Sequence, residues 1–284
     1  MKDNSKITFK RIKEWPSLLY RSNPVSIPGI NEIRSLTAYL PPDYFIEEQP
    51  HPIAYFFDGQ NIFEDEGTMA GGWHLHDYLD QRHKEGQVVP IVIGIEHGSD
   101  RDIEMSPWTA IPGSGKAAKA DLKLDWMMKT LHPQICQKLN ILNGPEHTLV
   151  GGSSLGGFLS IYAYLKHPEF FGKALAMSPS LWVGMFEIFP WLLQKTPKAH
   201  GKIYLDYGEL EGDSDDQELG DIMLGQTQLL VDTLEIFGYT KDVDIHFYRD
   251  PQGKHNEASW SKRLPFAFEF LFDNKVTACL NPTS

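Results

Sequence analysis

The segment Gly151-Gly152-Ser153-Ser154-Leu155-Gly156-Gly157 constrains this chain more than any other. In a Gly-x-Ser-x-Gly pattern the serine occupies a strained strand-to-helix turn. The flanking positions are glycine because side chains there would collide with neighbouring backbone. The context fits: His147 to Val150 reads as a short strand entering the turn, and Gly157 to Leu165 as a helix leaving it. A glycine-rich strand-helix junction, or an anion site on a helix N-terminus, is the competing reading of the same residues.

Short β-rich runs recur along the chain at Arg34 to Leu40, Ile53 to Phe57, Val89 to Ile95, His147 to Val150, Lys173 to Met177, Lys202 to Tyr207 and Asp242 to Tyr248. Apolar residues spaced by three and four mark helices over Asp121 to Leu139, Leu155 to Lys166, Asp221 to Phe237 and Glu257 to Phe272. This alternation predicts an α/β fold with a mostly parallel central sheet. Runs such as Ile53 to Phe57 are apolar almost throughout, as expected of strands covered by helices on both faces. We expect one domain over residues 1–284, with its core roughly at 33–272. Trp108 to Lys119 reads as a loop and Trp182 to Lys198 as an inserted apolar segment, either of which could border a pocket.

The formal charge of −12, with no Lys/Arg cluster, argues against nucleic acid as a partner. No apolar run approaches the roughly 20 residues of a membrane-crossing helix. The first fifteen residues lack the apolar core of a secretory signal, so a cytoplasmic location is expected. Cys136 and Cys279 are the two cysteines and stand in no metal-binding or redox spacing, so neither a disulfide framework nor a metal or other cofactor is expected.

A serine hydroxyl needs a base within hydrogen-bond reach, usually a histidine held by a carboxylate. In α/β-hydrolase folds the order is serine, acid, histidine, so the base should follow a late strand. Of His167, His200, His246 and His255, the last alone lies in a loop after the final strand, within Asp250 to Glu257. For the acid, Asp206, Glu209, Glu211 and Asp213 all lie at or beyond the end of the strand that begins at Lys202. Spacing does not choose among them. A calcium loop over Asp213 to Glu218 is disfavoured because it lacks the required glycine and ligand spacing.

Several motifs, in order, resemble the esterase family that includes enterobactin, feruloyl and acetylxylan esterases, S-formylglutathione hydrolases and mycolyltransferases. They are Phe57-Asp-Gly-Gln-Asn-Ile-Phe63, Gly72-Trp73, Gly94-Ile-Glu96 with Arg101 and Glu104, Gly151 to Gly157, Ser178-Pro-Ser-Leu-Trp182, and Gly253-Lys-His-Asn-Glu257 with Trp260. The resemblance spans Ile33 to Phe272. It implies an α/β-hydrolase fold, Ser154 as nucleophile and His255 as base. It also implies oxyanion donors at the backbone amides of Gln60 and Leu155. Aligned on the family, Tyr207 to Glu211 places the acid at Glu211, with Glu209 next. The formylglutathione branch usually has a histidine before the nucleophile, where this chain has Gly152-Ser153.

The expected substrate is a small ester such as an acylated sugar or a siderophore. Acyl transfer to a hydroxyl, or a binding module on a hydrolase fold, are the alternatives. Trp108 and Trp182 are candidates for the pocket wall. Arg101 is a candidate for an anionic substrate group or for an internal ion pair with Glu104 or Asp102.

Overall fold

The computed structural model describes residues 6–13, 17–46, 49–66, 68, 71–109, 116–212 and 217–273. Asp213, Cys279 and the centre of the 108–119 loop lie outside them. The strands are β1 (Phe9–Lys13), β2 (Leu18–Ser22), β3 (Val25–Ile27), β4 (Ile30–Arg34), β5 (Leu36–Leu40), β6 (Ile53–Phe57), β7 (Ile91–Ile95), β8 (Thr148–Ser153), β9 (Lys173–Met177), β10 (Lys202–Gly208) and β11 (Ile245–Asp250). The helices are α1 (Leu75–Lys84), α2 (Arg101–Met105), α3 (Ala120–Trp126), α4 (His132–Cys136), α5 (Leu155–Lys166), α6 (Ile188–Lys195), α7 (Gln217–Ile236) and α8 (Glu257–Asp273).

Nine strands form one sheet in the order β1-β2-β5-β7-β6-β8-β9-β10-β11. From β7 to β11 every neighbouring pair is parallel, and β1, β2 and β5 add an antiparallel flank. The mostly parallel α/β architecture read from the sequence is therefore the architecture observed. The strands β5, β6 and β7 are buried at every position, because helices and loops cover both faces. Two apolar layers result. One packs α5 against β8 and β9, with Phe158, Leu159 and Ile161 at its centre. The other holds Trp73, Leu79, Phe268 and Leu271 under α1 and α8.

The single helix expected over Asp121 to Leu139 is broken. A wide π turn at Met127–Leu131 separates α3 from α4, and Pro133 stands in the first turn of α4. Proline has no amide hydrogen to donate to the preceding turn, which explains the irregularity there. Parallel strands end on a common edge, and on that edge the chain leaves β6 at Asp58, β8 at Ser154, β9 at Ser178, β10 toward Glu211 and β11 toward His255. Sequence-distant groups meet there as a consequence of topology.

Candidate active site

Ser154 sits between β8 and α5 with φ 55° and ψ −122°, outside the regions that side-chain-bearing residues favour. The flanking glycines make that turn possible. A Cβ on Gly152 would stand 2.7 Å from the Gly156 carbonyl carbon, and one on Gly156 would stand 3.1 Å from Asp58 Oδ2. Asp58 and Ser178, at the ends of β6 and β9, are also left-handed, with φ 55° and 45°. Three strained non-glycine residues on one sheet edge mark it as a place where geometry is imposed from outside.

Ser154 lines a cavity of about 720 Å³ together with His255 and Glu211. His255 Nδ1 lies 2.9 Å from Glu211 Oε2. Ser154 Oγ lies 3.1 Å from Ser180 Oγ, and no hydrogen bond joins it to His255 among the described residues. The His255 ring packs edge-on against Trp260, with centroids 5.1 Å apart. Its loop is stitched to the loop that carries Glu211: Leu210 N–H donates to Gly253 C=O at 2.9 Å, and Glu209 N–H donates to Asp250 C=O at 2.9 Å.

The Glu211 side chain is fully buried. Its second oxygen, Oε1, accepts from Ser178 Oγ–H, from Gly208 N–H at 2.7 Å and from Arg263 Nη2 at 3.3 Å. Burial alone would raise this carboxyl group. The hydrogen bond and charge of His255, with Ser178 and Arg263, outweigh burial and hold it below the usual carboxylate value. The neighbouring Asp206 is different: burial, with the charge of Glu211, pushes it up to about 6 despite its bond to Arg263 at 2.7 Å. Asp206 faces Arg263 and Ser178 N–H, while the half-buried Glu209 pairs with Arg249 at 2.9 Å. Of the acids that the sequence left open and the structure describes, Glu211 alone is bonded to His255.

Arg263 holds this arrangement from below. It is fully buried and bonds Asp206, Glu211, Asp250 Oδ2 at 3.1 Å and the Lys254 carbonyl at 3.2 Å. Removing one partner of a buried ionic network leaves the others desolvated and unpaired. Arg263→Leu should therefore lower the unfolding free energy by about 3–5 kcal/mol. Urea titration followed by circular dichroism measures this, and a loss under about 1 kcal/mol would mean that the network is not structural.

The model of the family described as Putative esterase matches residues 28–271. The chain belongs to this esterase family. Membership supports ester hydrolysis as the reaction class. A Bacillus subtilis protein, YbbA, is 25% identical over 248 residues, covering 84% of this chain and 92% of that one. The siderophore triacetylfusarinine C esterase of Aspergillus fumigatus is 27% identical over 139 residues, covering 47% of this chain and 45% of its own. The siderophore hydrolase EstA of Aspergillus nidulans superposes with a TM-score of 0.69 at 17% identity, over 93% of this chain and 98% of that one. At that identity the likeness is one of fold.

In this member of the family the remaining candidates divide. Gln60 follows the strained Asp58-Gly59 turn, and Asp58 abuts Gly156, so the two turns that carry the Gln60 and Leu155 amides are in contact. No backbone carbonyl among the described residues accepts from either amide. Trp182, 49% exposed, lines the cavity with Ser154.

Arg101 and Trp108 are not in the wall of that cavity. Arg101 is bonded bidentately to Asp58 through Nε at 2.8 Å and Nη2 at 2.6 Å. Its ion-pair partner is thus neither Glu104, which meets Arg34 and Lys123, nor Asp102. Trp108 packs among Phe158, Tyr162 and Trp191 and supports the turn at Gly184, whose Cβ position is 3.2 Å from it. The sequence reading missed Arg263 and the support role of Ser178. Arg263 follows Lys262 on a helix, where such a basic pair normally reads as surface, and only the fold brings three carboxylates to it.

Proposed function

We propose that this chain is a serine carboxylic ester hydrolase that works through an acyl-enzyme. The observation that carries the reading is the His255 Nδ1 to Glu211 Oε2 bond of 2.9 Å at the wall of the cavity that Ser154 lines. A carboxylate on Nδ1 fixes the tautomer in which Nε2 is free to accept a proton. Ser154 Oγ leaves Ser180 and turns to Nε2, which takes its proton as Oγ attacks the ester carbonyl. The oxyanion is met by the Gln60 and Leu155 N–H groups, and the histidine then protonates the leaving alcohol. Water attacks the acyl-enzyme by the same route, with His255 again as base. The siderophore-ester relatives support a small-molecule ester as the substrate class.

A fluorophosphonate probe tests the reading directly. It should label the folded protein at Ser154, as read by peptide mass spectrometry, and should fail to label Ser154→Ala. Folded wild-type protein that resists labelling would point instead to a binding module.

The Arg101 fork gives a second test. By holding Asp58 it fixes the turn that presents the Gln60 amide, and loss of one oxyanion donor costs about 3 kcal/mol of barrier. Arg101→Met acts one step removed from that donor. It should lower kcat for p-nitrophenyl acetate by about tenfold or more with KM little changed. A rise in KM at constant kcat would place Arg101 in substrate binding after all.

A further inference from the structure

The wall of the Ser154 cavity has a chemical character that the reaction itself does not demand. Beyond Ser154, Ser180, Glu211 and His255, its side chains come from Trp182, Phe186 and Tyr207 and from Ile222, Met223 and Gln226 of α7. Its volume of about 720 Å³ is far larger than an acetyl group needs and lies within the range of pockets that enclose drug-sized molecules. Among the described residues no Lys or Arg lines it. The one carboxylate in the wall, Glu211, is held ionised. The chain from Glu209 to Asp221, which supplies Glu211 and leads into α7, has seven acidic residues and no Lys or Arg. Arg101 pairs with Asp58 and does not line the cavity.

The apolar side is deliberately presented. Met185 and Phe186 are consecutive non-glycine residues in the left-handed region, with φ 56° and 62°, following Gly184 at φ 70°. Such backbone persists only where the surroundings over-determine it. Here Gly184 rests on Trp108, and Glu187 N–H closes on the Gly184 carbonyl at 3.2 Å. The result is an aromatic ring, Phe186, held against the cavity. Two buried polar atoms of lining residues, Gln226 Oε1 and the Tyr207 hydroxyl, have no hydrogen-bond partner among the described residues, so the largely apolar wall contains two unpaired polar groups.

We infer that the cavity selects esters with a bulky, uncharged and largely apolar acyl group, and discriminates against anionic acyl groups. Trp182, Phe186 and Met223 supply the apolar contact, and Tyr207 and Gln226 meet polar substituents of the acyl group. The inference rests on Ser154 being the nucleophile. An anion in this cavity would lose hydration and gain no cation, while the ionised Glu211 in the wall repels it. An apolar acyl chain gains by leaving water.

Two p-nitrophenyl esters of equal chain length test this: the hexanoate, which is neutral, and the adipate monoester, which ends in a carboxylate. At low ionic strength the kcat/KM of the hexanoate should exceed that of the adipate by about thirtyfold or more, and added salt should narrow the gap. Trp182→Ala should reduce the ratio of hexanoate to acetate kcat/KM by about tenfold, because the larger acyl group loses more contact. Gln226→Lys should raise adipate turnover relative to hexanoate by placing a cation in the wall. Equal kcat/KM for hexanoate and adipate, or a ratio untouched by Trp182→Ala, would overturn the inference while leaving the nucleophile reading intact. Absence of acetate turnover together with absence of fluorophosphonate labelling at Ser154 would overturn both.

Discussion

Ser154→Ala should lower kcat for p-nitrophenyl acetate by about 10⁴-fold or more, and His255→Ala should do nearly the same. Each substitution removes one half of a unit, since a hydroxyl without its base stays protonated and a base without its hydroxyl has nothing to activate. The double variant should therefore be scarcely worse than either single variant, a non-additivity that independent effects would not produce. The residual rate should stay above that of the uncatalysed reaction, because the Gln60 and Leu155 amides remain. Folding should be unaffected: alanine meets the same left-handed φ of 55° that the serine already bears, and the hydroxyl's hydrogen bond to Ser180 is a single partly buried contact. Steady-state kinetics beside circular dichroism checks both points. Turnover within tenfold of wild type in either single variant would remove that residue from the mechanism.

Whether such an arrangement can be foreseen depends on how far each part is fixed by local chemistry. The Gly152-Ser154-Gly156 turn was legible because its sterics are local: the glycines avoid the Gly156 backbone and Asp58, and nothing distant need be known. Strands such as Ile53–Phe57 and Lys173–Met177 were legible to the residue because burial on both faces writes a continuous apolar run. Helix α1 was not foreseen. It buries His76, Asp80 and Arg82 beside Leu75 and Leu79, so polar residues interrupt the apolar periodicity of its inward face. Asp80 and Arg82 find partners far away in sequence: Asp80 accepts from Tyr39 at 2.8 Å and from Ser17, and Arg82 pairs with Asp273 at 2.9 Å.

The same distinction runs through the site. His255 was narrowed by chain order and loop position. Spacing left several carboxylates standing, and the family resemblance selected Glu211. The physical difference among the described ones is tertiary: Arg263 takes Asp206, Arg249 takes Glu209, and Glu211 is left to bridge Ser178, Gly208 and His255. The ion pair of Arg101 was hidden for a related reason. Its partner Asp58 lies 43 residues away and was read only as part of the Asp-Gly-Gln-Asn motif, not as a base for a guanidinium.

Glu211→Gln should lower kcat/KM by about 10³–10⁴-fold while leaving the fold intact. The surroundings dictate how the new amide must sit. Oε1 is surrounded by donors, from Ser178, Gly208 N–H and Arg263, so the amide oxygen takes that place and the NH₂ group faces His255 Nδ1. Nδ1 must then accept, the ring proton moves to Nε2, and the nitrogen that should take the serine proton already carries one. Glu211→Asp keeps the charge but is one methylene short of spanning Ser178 and His255, so a smaller loss is expected. Because the Glu211 carboxyl lies below its ordinary value in the folded state, its stabilising contribution is present above the usual carboxylate range and is lost only as pH falls through that depressed value. The acidic limb of the wild-type kcat/KM profile should consequently report a group other than Glu211, and it should survive in Glu211→Asp. A Glu211→Gln enzyme within tenfold of wild type would show that His255 keeps its working tautomer without a carboxylate.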